Sequence, residues 1–110
     1  MPFISVIIPV RNEQDYLETC VQSLLSQDYP RASMEFLFVD GESTDSTRSL
    51  LERYQKEFSS LFMILENPHH TVPYAMNLGI RASRGEFLIR MDAHAEYAPN
   101  YISQCVRHLQ

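Results

Sequence analysis

Four short apolar runs set the frame of this 110-residue chain: FISVIIPV from Phe3, MEFLFVD from Met34, LFMILEN from Leu61 and EFLIRMD from Glu86. Helical spacing fills the stretches that follow each of them. Leu17, Cys20, Val21 and Leu24 share one face of a helix predicted from Glu13 to about Ser26, and Leu50, Leu51, Tyr54 and Phe58 share a face of the next. Ala75, Leu78, Gly79 and Ala82 make a small-residue face on a third, and Ile102, Cys105, Val106 and Leu109 mark a fourth. Pro30 disfavours helical geometry at Tyr29 and ends the first helix. Gly41 permits a tight turn, with Ser43, Thr44 and Asp45 as N-cap candidates beyond it. Thr71 can cap the third helix, Pro73 suits its first turn, and Pro99 suits the first turn of the last.

Strands alternating with helices predict an α/β fold, a Rossmann-like parallel sheet with helices on both faces and right-handed crossovers. With strand order 3-2-1-4, ligands bind beyond the carboxyl ends of the strands, at the switch between strands 1 and 4. That rule singles out PVRNE after strand 1, DGESTDST after strand 2 and DAHAEY after strand 4. All three are polar and converge on one edge.

Asp92 and His94 leave strand 4 at alternate positions, so their side chains project to the same side. A carboxylate oxygen and an imidazole nitrogen can meet one divalent cation, and the mixed pair suits Mn²⁺ better than Mg²⁺. Two ligands leave the remaining positions to water or to phosphate oxygens. The plain alternative is an aspartate capping the next turn beside a surface histidine. Asp40, at the end of strand 2, can accept hydrogen bonds from a ribose or base; alone it reads more simply as a turn aspartate. PVRNE opens a helix N-terminus, which favours anions, although Glu13 also suits an ordinary first turn. Arg90 is expected to pair with Asp92 or Asp40, since an unpaired charge in a central strand is costly. His69 and His70 could reach the same edge but read more simply as a solvated loop.

Several classes fall away. The chain has 14 acidic against 9 basic residues, a formal net charge of -5, which argues against nucleic-acid binding but not against a phosphate ligand carried by a cation. The glycines are Gly41, Gly79 and Gly85, so neither GxGxxG nor GxxxxGK[ST] is present. A GxSxG elbow is missing too, which removes Ser43 and Ser46 as triad nucleophiles. Cys20 and Cys105 fall within helical patterns and are expected as free thiols in a reducing compartment. Without a basic leader or a span of roughly 18 apolar residues, the expected location is cytoplasmic.

The stretches VIIPVRNE, FLFVDGESTDSTRSLL and NPHHTVPYAMNLGIRASRGEFLIRMDAHAEYAPNYI, in this order and over nearly the whole chain, resemble the donor-binding half of a GT-A fold, family 2 glycosyltransferase. The MDAHA stretch is similar to the succinoglycan-biosynthesis subgroup. The resemblance implies that residues 1–110 form the nucleotide-sugar-binding N-terminal part of the domain, without its acceptor half. It implies a donor pocket, usually for a UDP-sugar, formed by Pro9, Val10, Arg11, Glu13, Asp40, Asp92 and Ala93. Asp92 and His94 match the motif that holds the diphosphate through Mn²⁺ or Mg²⁺, with His94 standing where aspartate is commoner. The implied partners are a nucleotide-sugar donor and a glycan or lipid-linked acceptor in polysaccharide biosynthesis, with the catalytic base expected beyond Gln110. Membrane association of the full-length protein and homodimerisation stay open. The competing expectations are an inactive binding or assembly module of the same fold and a nucleotidyltransferase. The second would want a glycine-rich basic loop in place of PVRNE.

Overall fold

The computed structural model describes residues 1–110, and every peptide bond is trans. Its elements run β1 (Ile4–Val10), α1 (Leu17–Leu25), β2 (Met34–Asp40), α2 (Thr47–Glu57), β3 (Phe62–Glu66), α3 (Val72–Ala82), β4 (Phe87–Arg90) and α4 (Tyr101–Leu109). The four strands form one parallel sheet in the order β3-β2-β1-β4, as the alternation of patterns predicts.

The helices divide unevenly between the faces, and crossover handedness explains why. The chain steps from β1 to β2 to β3 in one direction, then doubles back past β1 to β4. Right-handed crossovers in opposite directions must run over opposite faces. The larger core accordingly joins Val6, Ile8, Phe36 and Phe38 to Leu17 and Leu24 of α1, Leu51 and Tyr54 of α2, and Ile102 and Val106 of α4. The other face holds Ile7, Leu37 and Val39 against Ala75 of α3. The small-residue face of α3 is needed there. A Cβ on Gly79 would lie 2.5 Å from Ile7 Cγ2.

Several local expectations are corrected. Helix α1 begins at Leu17 rather than Glu13, because residues 13–16 form a turn in which Glu13 O accepts from Tyr16 N (3.0 Å) and Leu17 N (2.9 Å). The left-handed position after β2 is Glu42 (φ 58°), not Gly41. Helix α2 starts behind Ser46, which makes no side-chain cap; Asp45 Oδ1 instead accepts from Thr47 N at 2.9 Å. Thr71 precedes α3 without a side-chain cap. Strand β4 is an edge, so Leu88 and Arg90 are exposed while Ile89 is buried. Cys20 is buried and Cys105 half-buried, both as free thiols.

Candidate functional site

The carboxyl ends of the strands enclose a cleft of about 280 Å³. The β1 end supplies Pro9, Val10, Arg11 and Glu13 to its wall, and the β4 end supplies Arg90, Asp92, Ala93 and His94. The β4 contribution follows directly from strand alternation. Burial alternates from Leu88 to His94, continuing past the last strand residue because Met91 N still donates to Ile7 O at 3.1 Å. Ile89, Met91 and Ala93 therefore enter the core, and Arg90, Asp92 and His94 share the open side. Arg90 pairs with Asp92 as expected, Nη2 to Oδ1 at 3.6 Å, but on an edge strand where both side chains are at least half exposed.

Asp40 does not line the cleft. Its carboxylate is buried, with Oδ1 accepting from Ser43 N (3.1 Å) and Ser43 Oγ (2.6 Å) and Oδ2 lying 3.7 Å from Arg48 Nη1. This is the turn-aspartate arrangement; its neighbours Val39 and Gly41 form the wall instead. The Ser43–Thr47 cluster, expected mainly to cap α2, stitches two loops together. Asn12 N donates to Ser43 Oγ (2.9 Å), Thr44 N to Asn12 Oδ1 (2.7 Å), Ser46 N to Gln14 Oε1 (3.0 Å) and Glu13 N to Thr47 Oγ1 (2.7 Å). These bonds hold Asn12 in its left-handed conformation (φ 53°).

A fourth loop completes the cleft, where the sequence favours a plain solvated loop. Asn67, His70 and Thr71, between β3 and α3, line it together with Val72 and Ala75. Buried Asn67 shapes this loop, its Nδ2 donating to Thr71 O (2.9 Å) and its Oδ1 accepting from His69 N (3.2 Å). His70 Nε2 lies 2.5 Å from Glu42 Oε1, joining the β3 and β2 loops at two left-handed residues, φ 63° and 58°. The carboxyl end of β3 lies on the same edge as the other three, so the topology rule could have found NPHH. Its plain polarity hid it.

His94 and Glu13 meet across the mouth, with Nδ1 2.5 Å from Oε2. The His94 side chain is 68% exposed and that of Glu13 only 13%. The His94 ring also leans on Tyr16, centroids 5.6 Å apart. Tyr97, another residue without a sequence signal, holds the backbone at Asp92: Asp92 N donates to Tyr97 Oη at 2.6 Å. Burial raises the Tyr97 phenol, and the nearby Asp92 charge adds to this, while the Asp92 N–H acts the other way. Burial, followed by the charges of Asp92 and Glu13, pushes the Cys20 thiol up to about 11.

No group of three or more His, Cys, Asp and Glu side chains is arranged to hold a metal alone. The donor set nevertheless fits a divalent cation that a ligand shares. Asp92 offers an exposed carboxylate, His94 retains one free ring nitrogen, and phosphate oxygens would supply further ligands to Mn²⁺ or Mg²⁺.

Comparison with known proteins adds independent findings. Residues 5–110 match the model of glycosyl transferase family 2. The dolichyl N-acetyl-alpha-D-glucosaminyl phosphate 3-beta-D-2,3-diacetamido-2,3-dideoxy-beta-D-glucuronosyltransferase of Methanococcus voltae is 35% identical, over 100% of this chain and 35% of its own length. Glycosyltransferase AglE of Haloferax volcanii is 35% identical over 84% of this chain and 30% of its own length. The chain thus spans about a third of these relatives. Among solved structures, the mannosyltransferase PcManGT from Pyrobaculum calidifontis, in complex with GDP-Man and Mn²⁺, superposes with a TM-score of 0.91 at 30% identity, covering 98% of this chain and 32% of that one. Residues 1–349 of S. aureus TarS in complex with UDP superpose at 0.82 and 24% identity, covering 97% and 32%, a likeness of fold.

Proposed function

The chain belongs to glycosyl transferase family 2, and from that premise we propose that its cleft holds the nucleotide diphosphate of a sugar donor, with Asp92 and His94 binding a divalent cation between protein and phosphates. The observation that carries the reading is the shared open face of Arg90, Asp92 and His94 at the carboxyl end of β4, opposite the β1 loop. Two relatives of this fold have been captured with a nucleotide-sugar and Mn²⁺ or with UDP, which supports the same ligand class here. The donor is a UDP-sugar in this reading, Mn²⁺ the better fit to a carboxylate–imidazole pair, and the transfer serves polysaccharide biosynthesis with a glycan or lipid-linked acceptor.

When bound, the cation neutralises charge on the departing diphosphate. The chain's own groups do the rest of the donor work. Asp92 and His94 would hold the cation, Arg11 and Arg90 add positive charge beside the carboxylates of Glu13 and Asp92, and Val39, Val72 and Ala75 offer apolar surface to a nucleoside. Asp40 supports this site indirectly, by fixing the turn that carries Gly41 into the wall. No catalytic base is assigned among residues 1–110. No helix of the chain is long and apolar enough to cross a membrane. A cytoplasmic location, at the membrane face where lipid-linked acceptors are presented, completes the proposal.

Calorimetry of the intact protein with UDP, with and without Mn²⁺, tests the site. We expect Mn²⁺-dependent binding that Asp92→Ala weakens at least tenfold while circular dichroism is unchanged. Equal binding by the variant, or a preference for GDP, would sink the Asp92 assignment or the UDP assignment respectively.

A further inference from the structure

Glu13 stands in an unusual position for an acidic residue at a diphosphate site. Its carboxylate is mostly buried, lines the cleft and meets His94 Nδ1 at 2.5 Å. It would repel an anion placed directly against it. Its backbone is held at both ends: Glu13 N donates to Oγ1 of fully buried Thr47 at 2.7 Å, and Glu13 O receives Tyr16 N and Leu17 N. With its backbone fixed, Glu13 sets its carboxylate against an exposed imidazole that has two nitrogens.

We propose that Glu13 is a positioning residue for His94: it accepts the Nδ1 proton, selects the tautomer with an unprotonated Nε2, and thereby presents that nitrogen to the divalent cation. The inference rests on the donor-site reading given above. A histidine ligand needs its other nitrogen engaged if ring orientation and basicity are to be set, and a carboxylate is a common partner for it. The 2.5 Å separation puts the carboxylate in direct contact with Nδ1. Tyr16 flanks the ring and limits its swing. Thr47 makes the clamp reach into the packed start of α2, so the metal edge is braced by residues far from it in sequence.

Two variants and two readouts test the proposal on the intact protein. The metal-free protein, with its imidazoles labelled in ¹⁵N, should show His94 as the Nδ1–H tautomer. Glu13→Ala should shift it to the Nε2–H form that predominates in free histidine. Mn²⁺ affinity in the presence of UDP, read by electron paramagnetic resonance, should fall roughly 10- to 100-fold in Glu13→Ala, the usual cost of losing such a partner. Glu13→Gln keeps an acceptor for the Nδ1 proton and should retain the tautomer and most of the affinity. An unchanged tautomer and affinity in Glu13→Ala would overturn the proposal. So would a Gln variant as weak as the Ala variant with its tautomer intact, which would make Glu13 a direct ligand. A wild-type protein with no Mn²⁺ uptake at all would overturn the donor-site reading itself, and the positioning role with it.

Discussion

At the scale of single residues, placement is decided by one methylene or one proton. Ala93 is small and buried between exposed Asp92 and His94, so the two metal-competent side chains sit on one side by alternation alone. Cys20 lies just beneath them, its thiol directed at Asp92 O at 3.6 Å. Burial, helped by the Asp92 and Glu13 charges, raises that thiol from an ordinary 9.0 to about 11, which leaves a thiolate fraction of only about 10⁻³ at pH 8. Iodoacetamide at pH 8 should therefore modify Cys20 in the folded protein at least a hundredfold more slowly than in urea, with mass spectrometry of the peptide as the readout. The Asp92–His94 pair was legible in the sequence because it needs only a strand and a period of two. The Glu13–His94 contact was not, since it joins residues that only the parallel register of β1 and β4 brings together.

Among the elements, two docking surfaces show how side-chain volume sets the layers. Helix α2 is locked to β3 through Phe62, whose ring contacts those of Phe36, Phe38, Tyr54 and Phe58 at centroid distances of 5.5 to 6.4 Å. Truncating such a buried aromatic leaves a cavity and costs about 3–5 kcal/mol. Phe62→Ala should lower the stability by that amount in urea titration, with little change in the slope. Helix α3 shows the reverse constraint. Gly79→Ala would gain up to about 1 kcal/mol of helix propensity, but its Cβ would fall 2.5 Å from Ile7, which is fully buried and has nowhere to move. Overpacking of this kind costs about 1–3 kcal/mol, so the variant should be net destabilised in the same titration. The apolar spacing of α3 was readable from Ala75 and Gly79. That α3 alone would cover its face follows from the reversal of strand order, a property of the sheet.

For the whole molecule, the end of the sheet opposite the cleft carries the compensating polar network. Glu35 on β2 is buried, accepting from Ser5 Oγ (2.6 Å) on β1, Arg84 N (2.8 Å) and Arg84 Nε (3.1 Å). Ser5 Oγ also accepts from Gly85 N at 2.8 Å, so the loop entering β4 is pinned to both central strands. Burial pushes the Glu35 carboxyl up, but the hydrogen bonds from Ser5 and Arg84 outweigh it and hold the group below its ordinary value of 4.5. A folded value below the unfolded one means that this stabilisation is fully present above pH 4.5 and fades as pH falls through the folded value. Glu35→Gln should therefore be less stable than wild type at pH 7, and the gap should narrow as urea titrations move below pH 4.5. A gap constant with pH would show that the charge contributes nothing. The sequence by itself determined the α/β class and the polar loops that follow the strands, because periodicity and proline placement are local or nearly so. It also exposed Asp92 and His94. Tertiary structure alone decided that Asp40 turns inward to Ser43 and Arg48 and that Glu13 meets His94. Each of those depends on which loops lie side by side, a relation that no spacing along one chain contains.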